Sequence, residues 1–533
     1  MSAIVAAHGP FDGQLGLRML QRMRHRGSDG LGHRSGEGWW LGTQRLAIMD
    51  PGPDAEPLTG ISDGTGELWL AGDGEIYNHR RIRERLGTSA RGSDFEAVLQ
   101  LVRRRGAAAF ESLWGAFALV VAGDGIAGAD ERDERTGRGD GASVGESADT
   151  GGFFAVTRDV FGIAPLYWAQ RDGTVLFASE LKAFDDDWRG LVEPFPPGHV
   201  WTPQTGLVAG PEQPSMGPVL LKSRDPREEP PAWVFAALRE TLVRAVEQSL
   251  DASAPVGVLL SGGVDSSIVT AIAAKLMRER GKTLPSFAVG MEGSRDLAAA
   301  RLVAEHTGTE HHELVYTAEE AIALVPQVVS ELESFDPTLV HSAVPHHLVA
   351  ALAAERVKVV LAGEGADELF AGYSHFGRHE SGDRLHEELL ETIAGMHIGG
   401  LQRVDRVAAA HGIEPRMPFL DLDFVELAMA LPPEWKLLRD ERPAKWLLRR
   451  AFDGWLPDEV LWRRKEQFGQ GTGMNVVLRE HYGASCSEED LAREGSLVDP
   501  PLRTREELAY YRMFVAALTG IDAERNVGRF VEA

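Results

Sequence analysis

The chain is expected to fold as two α/β domains, the second a parallel sheet with helices on both faces. Three observations lead there. At 533 residues the chain exceeds what one hydrophobic core ordinarily serves, so it divides. Residues 1–205 carry short alternating apolar runs broken by Gly, Asp and Asn, as at 38–46, 67–71, 153–157 and 174–178, with one helical pattern at 94–104. That spacing reads as a strand-rich domain. From Trp233 onward, long helical periodicity alternates with β-branched runs at 256–260 and 357–361 and a third candidate strand at 286–289. Such alternation is the pattern of a parallel sheet.

Two segments interrupt this plan. Residues 123–152 are rich in Gly, Asp, Glu and Arg with almost no large apolar side chains, and are expected to form a disordered insert because they bury too little surface to offset ordering. Residues 206–231 carry scattered prolines and mixed charge and read as a linker. The back domain is then 232–533, of which 483–533 shows no interpretable motif.

Composition narrows the function. A net charge of −25 repels polyanions and argues against nucleic acid or an anionic membrane as the main partner. No signal-peptide pattern opens the chain and no apolar run is long enough to span a bilayer, so a cytoplasmic protein is expected. The single cysteine, Cys486, excludes an internal disulfide and a cysteine-based zinc cluster.

The sharpest local signal is Ser261-Gly262-Gly263-Val264-Asp265-Ser266-Ser267, set between an apolar strand and an apolar-periodic helix. Glycines let the backbone approach an anion, the N–H groups of a helix start face it, and serine hydroxyls add donors. Asp265 beside a phosphate suggests a bridging Mg²⁺. The P-loop lysine pattern is absent, so this is not the ordinary nucleotide loop. A second turn, Gly363-Glu364-Gly365-Ala366-Asp367-Glu368, follows the strand at 357–361. Three carboxylates crowded at a strand end are costly without a cation or a reacting group. Both turns fall at carboxyl ends of strands, where open α/β sheets bind ligands. His311-His312 and His346-His347 lack metal-ligand spacing and read as helix-cap or solvent-facing residues.

These motifs resemble the class B asparagine synthetase family, which couples an N-terminal glutaminase to a C-terminal ATP-pyrophosphatase. Residues 261–267 are similar to its pyrophosphate loop and 363–370 to its acidic loop. Arg416-Met417-Pro418-Phe419-Leu420-Asp421 and Arg464-Lys465-Glu466-Gln467-Phe468 are similar to two further motifs. In the front half Arg26-Gly27, Arg45-Leu46, Gly74-Glu75-Ile76-Tyr77-Asn78, Ser93-Asp94, Arg158-Asp159 and residues 177–182 match in the same order. The resemblance implies an Ntn-hydrolase-like αββα sandwich of the class II glutaminase kind over 1–205. It also implies ATP and Mg²⁺ as cofactors, a small carboxylate with ammonia or an amine as reactants, and a possible homodimer. By the same carry-over Ser261, Gly262, Gly263, Asp265, Ser266, Ser267, Val289, Gly290, Gly363 and Asp367 hold the nucleotide. Asp265 and Asp367 hold the metal, Lys465 steadies the transition state, and Glu364 takes the proton from the attacking nitrogen.

The sequence departs from the family at both reaction centres. The family's N-terminal nucleophilic cysteine is Ser2 here, a poorer nucleophile. Its oxyanion-stabilising Asn is Asp73, whose charge opposes the reaction. Arg45 and Asp94 match glutamine-holding positions and are retained, but the front domain is expected not to hydrolyse glutamine. In the acid-substrate segment a family arginine is replaced by His341, alongside Leu339, and a serine by Ala362. Loss of the bidentate guanidinium points to an altered acid. The leading expectation is an AMP-forming amide synthetase of specialised metabolism, such as antibiotic biosynthesis. The alternatives are an asparagine synthetase acting on aspartate and a non-catalytic scaffold.

Overall fold

The computed structural model describes all residues except 50–56, 64–65, 89–91, 125–151, 211–227, 440–441, 464–473 and 531–533. The expected insert at 123–152 and the linker at 206–231 thus lie largely outside the described residues, as does Lys465.

In the front half, two six-stranded antiparallel sheets stack face to face. One runs Glu193–Pro194, Tyr167–Arg171, Thr174–Ala178, Ala3–His8, Trp39–Arg45, Gly30–Gly36; the other runs Gly206–Ala209, His199–Thr202, Phe153–Arg158, Gly115–Gly123, Gly66–Ile76, Thr59–Asp63. Alternation decides the layering. Ile4, Ala6, Leu41, Ala71, Val120, Phe154 and Phe177 fill the space between the sheets. Helix Gly13–Arg22 covers the first sheet with Met19 and Leu20, and helix Asp94–Arg105 covers the second with Val98, Leu99 and Val102. The result is the expected αββα sandwich. One boundary moves: Gly206–Ala209 pairs antiparallel with His199–Thr202, so these residues are an edge strand of the front domain and not linker. The tight Thr202–Gly206 turn hides this, because its four-residue strand is mostly exposed and lacks a buried alternation.

The back half is a five-stranded parallel sheet in the order Glu310–Val315, Pro285–Gly290, Val256–Leu259, Val359–Leu361, Glu414–Arg416. Val359 and Leu361 point to the core shared with helices Val264–Glu279 and Arg295–Thr307, while Val360 joins the opposite core with helix Pro337–Ala354. Helices therefore cover both faces. The two strands absent from the sequence reading are edges: one is polar, Glu-His-His-Glu-Leu-Val, and the other is three residues around a proline, as edge strands allow. His311 and His312 lie on the first of these, half-buried. His346 and His347 are neither caps nor solvent-facing; both are buried on helix Pro337–Ala354. No described helix is long and apolar enough to cross a membrane.

A buried ion network joins the halves. Arg26, fully buried, donates to Asp73 (2.8 Å) and Glu180 (2.9 Å) of the front half and to Asp405 (2.8 Å) of the back. Arg406 bonds Asp405 (2.9 Å), Glu333 (3.2 Å) and the Tyr167 hydroxyl (3.2 Å). Glu333 in turn accepts the N–H groups of Leu181 and Lys182. Arg416 pairs with Glu75 across the same interface.

Two predictions follow from these charges. Arg26→Leu strips Asp73 of its cation and takes one partner each from Glu180 and Asp405 in the interior, and is expected to cost about 3–5 kcal/mol, read by urea unfolding; an unchanged midpoint would show the network to be dispensable. Asp421, which caps helix Leu422–Ala430 through the Phe424 N–H (3.2 Å), is pushed up by burial to about 7. A raised carboxyl contributes stability below its ordinary range and loses it as pH rises through about 7. Asp421→Asn keeps the cap and removes the titration. It should therefore melt higher than wild type at pH 8, by about 1.4 kcal/mol for each unit of the shift at most, with the gap narrowing by pH 5 and closing near about pH 4.

Candidate active site

The strand order explains where the site lies. From the central strand Val256–Leu259 the chain first builds outward through Pro285–Gly290 and Glu310–Val315, then returns to place Val359–Leu361 on the other side. The reversal falls between Val256–Leu259 and Val359–Leu361, and a sheet opens a crevice at such a point. These strands pair directly, Val258 opposite Leu361, so the serine-glycine turn and the acidic turn leave the same edge side by side. Gly363 makes this possible: a Cβ there would meet the Ser266 nitrogen at 2.9 Å and the Asp265 Cβ at 3.1 Å. Gly262 adopts a φ of +73°, where a side chain would strike the Asp296 carbonyl.

The first turn is organised around its serines. The Ser261 N–H donates to Ser266 Oγ (3.2 Å), the two hydroxyls lie 3.0 Å apart, and the Gly263 N–H reaches Ser261 Oγ (3.4 Å). Helix Val264–Glu279 begins at once, so its first N–H groups face the crevice. A glycine-shaped cradle with the Ser261 and Ser266 hydroxyls in its lining at a helix start fits a polyphosphate.

Asp265 and Asp367 meet across the crevice at one ammonium. Lys445 Nζ pairs with Asp265 and with Asp367 (2.7 Å for the latter) while its own side chain is only 2% exposed. Burial alone would lower this lysine, but the two carboxylates outweigh it and hold the amine above its ordinary range. Two facing carboxylates that already share one cation suit a divalent metal. Glu364, next to them, accepts from Arg403 of helix Gly400–Ala409 at 2.8 Å. The Tyr373 hydroxyl donates to Glu368 at 2.6 Å, and burial followed by that carboxylate's charge holds the phenol well above its usual range.

Around these groups lies a cavity of about 970 Å³. Ser261, Gly263, Asp265, Ser266, Val289, Leu339, His341, Ala362, Gly363, Glu364 and Asp367 all line it. Gly262, Ser267 and Gly290 do not; they shape the turn and the strand end behind it. Arg463 and Asn475, on either side of the undescribed stretch that contains Lys465, are wall residues. His341 does not stand free: it bonds Glu506 at 2.6 Å. Sequence reasoning missed Lys445, Arg403, Tyr373 and His346, all on the wall. Lys445 sits in a turn with a φ of +62°, which leaves no periodicity to detect; a non-glycine residue there is uncommon and marks constrained backbone.

The front-domain positions are closely packed. The Ser2 N–H donates to Asp73 Oδ1 (2.7 Å), Arg26 holds Asp73 Oδ2, and the Leu46 N–H reaches Ser2 Oγ (3.2 Å). Burial pushes Asp73 up to about 6 against the pull of Arg26. Asp73 is thus an acceptor, held at both oxygens. Asp94 is buried, takes the Ile76 N–H at 2.8 Å, and is raised by burial. Arg45 ends strand Trp39–Arg45 beside Leu46 and is half-buried.

The Asparagine synthase family matches residues 237–384 and 377–507, and Glutamine amidotransferase domain families match 1–127 and 143–186. Glutamine-hydrolysing asparagine synthetase 3 of Arabidopsis thaliana is 34% identical over 517 residues, covering 93% of this chain and 83% of its own length. The enzyme of Zea mays is 33% identical over 531 residues (96% and 84%), and a probable one of Dictyostelium discoideum 33% over 551 (97% and 92%). Among solved structures, a glutamine phosphoribosylpyrophosphate amidotransferase from B. subtilis covers 55% of this chain and 67% of its own at 17% identity, with a TM-score of 0.29.

If Lys445 holds the two carboxylates in place of a metal, Lys445→Met should melt lower than wild type without metal and gain more from added Mg²⁺. An equal Mg²⁺ shift in both proteins, measured by calorimetry, would detach Lys445 from the metal site.

Proposed function

Because the chain belongs to the asparagine synthetase family, and is thereby an ATP-dependent carbon–nitrogen ligase, we propose that it adenylates a carboxylate other than aspartate. The acyl group then passes to ammonia or an amine that does not come from glutamine hydrolysis in its own front domain. The observation that carries this reading is the meeting of Asp265, Asp367 and Lys445 with Glu364 in one cavity. Ser261, Gly263 and Ser266 bind the polyphosphate and Val289 borders the base. Asp265 and Asp367 would hold magnesium, which supplies charge neutralisation for the departing pyrophosphate. Lys445 keeps the two turns together, and Lys465 adds positive charge where negative charge develops; the protein's work is positioning and electrostatic stabilisation. Glu364 takes the proton of the attacking nitrogen, with Arg403 fixing its carboxylate.

Support for a silent front domain comes from Asp73. Its Oδ1 is taken by Ser2 and its Oδ2 by Arg26, so no donor is presented at the oxyanion position, a loss of about 10²–10³ in rate. A second reading, aspartate as the acid, is favoured by the near full-length similarity to asparagine synthetases.

Exchange of labelled pyrophosphate into ATP across a panel of acids separates the two. Aspartate-dependent exchange selects the second; exchange with other acids and not aspartate selects the first. Lys465→Ala should lower turnover about 10³-fold or more with an unchanged melting temperature. Ser2→Ala should leave ammonia-dependent turnover unchanged; glutamine-dependent turnover that disappears in this variant would restore the front domain as a glutaminase.

A further inference from the structure

One helix face forms the acid end of the cavity. Thr338, Leu339, His341, Ser342, His346 and Val349 of Pro337–Ala354 line it together, at the three- and four-residue spacing that places side chains on one side of a helix. His346 is central in this row. It is 4% exposed, and its Nε2 has no hydrogen-bond partner among the described residues. A buried polar nitrogen left unpaired is costly, and one that lines a cavity is satisfied by what enters the cavity. Burial, then the charge of Arg403 and the neighbouring His347 and His411, holds this imidazole well below its ordinary range, so it offers a neutral hydrogen bond.

The polar groups beside it already have partners. Arg403 bonds Glu364 and His341 bonds Glu506, itself buried and also accepting from the Tyr510 hydroxyl at 2.8 Å. Lys445 is held by Asp265 and Asp367. The lining also includes Glu391 and Glu388, the latter paired with Arg378 at 2.7 Å. Among the described residues the helix row therefore offers a second substrate carboxylate no cation of its own, Arg449 on the wall being turned to the Ala444 and Leu461 carbonyls, and desolvating an unpaired charge is expensive.

We infer that His346 is the specificity contact of the acid pocket, and that the acid it selects carries an uncharged hydrogen-bonding group, a hydroxyl or a carboxamide, rather than a second carboxylate. This rests on the adenylation reading above. Leu339, Val349, Ala362, Met396 and Phe530 supply the apolar surface for the body of such a molecule, and His346 reads its polar end.

The test uses the full chain with magnesium and a non-hydrolysable ATP analogue. Titration calorimetry measures binding of length-matched acids ending in methyl, hydroxyl, carboxamide or carboxylate. The hydroxyl or carboxamide members should bind about tenfold to a hundredfold more tightly than the methyl member, with the dicarboxylates weakest. His346→Met should erase that gap and melt no lower than wild type, since it removes an unsatisfied nitrogen; His346→Gln should keep most of the gap. Dicarboxylates binding tightest, an unchanged ranking in His346→Met, no ranking at all, or a large melting loss in the Met variant would each overturn the assignment. Binding in the expected order without pyrophosphate exchange would retire the adenylation reading and leave the His346 contact standing.

Discussion

Asp265 and Asp367 stand at the ends of neighbouring strands, and two carboxylates facing each other across a crevice repel unless a cation lies between them. Lys445 is that cation, and it reaches the crevice from a turn far along the chain. The register Val258–Leu361 sets the two turns side by side, and Gly363 removes the side chain that would hold them apart. Sheet order, glycine placement and one buried ammonium thus define the cleft together. If any of them were missing, the phosphate-binding turn and the acidic turn would be separate surface loops.

The parts of this site that were legible in the sequence are those whose chemistry is local. The strand, serine-glycine turn and helix at 256–279 can be read because capping, backbone permissiveness and periodicity act over a few residues. The acidic turn was legible for the same reason. Lys445 and Arg403 were not, since a lone basic residue in a turn or on a helix looks like solvated surface until the fold brings carboxylates to it. His346 was misread outright: two adjacent histidines suggest exposure, yet the helix bearing them is buried on nearly every side. In the front domain the edge strand Gly206–Ala209 escaped notice because exposed strands carry no alternation.

Charge is distributed unevenly in this acidic protein. Buried carboxylates outnumber buried Arg and Lys among the described residues, and the interior arginines Arg26, Arg406 and Arg416 are drawn into pairs with them. Asp73 illustrates how context changes the meaning of a substitution. From the sequence it is a negative charge placed against a developing oxyanion; in the structure Arg26 neutralises it and Ser2 occupies its other oxygen.

Arg26 also bears on how such a chain can evolve. Its guanidinium serves Asp73 and Glu180 from one half and Asp405 from the other, so neither half is electrically complete alone. Whatever chemistry the first two hundred or so residues keep, a gene that discarded them would strand Asp405 and Arg406 at a newly wetted face and uncover apolar surface around them. Deletion is thereby penalised whatever that chemistry is, and the front half stays as one side of a shared interior.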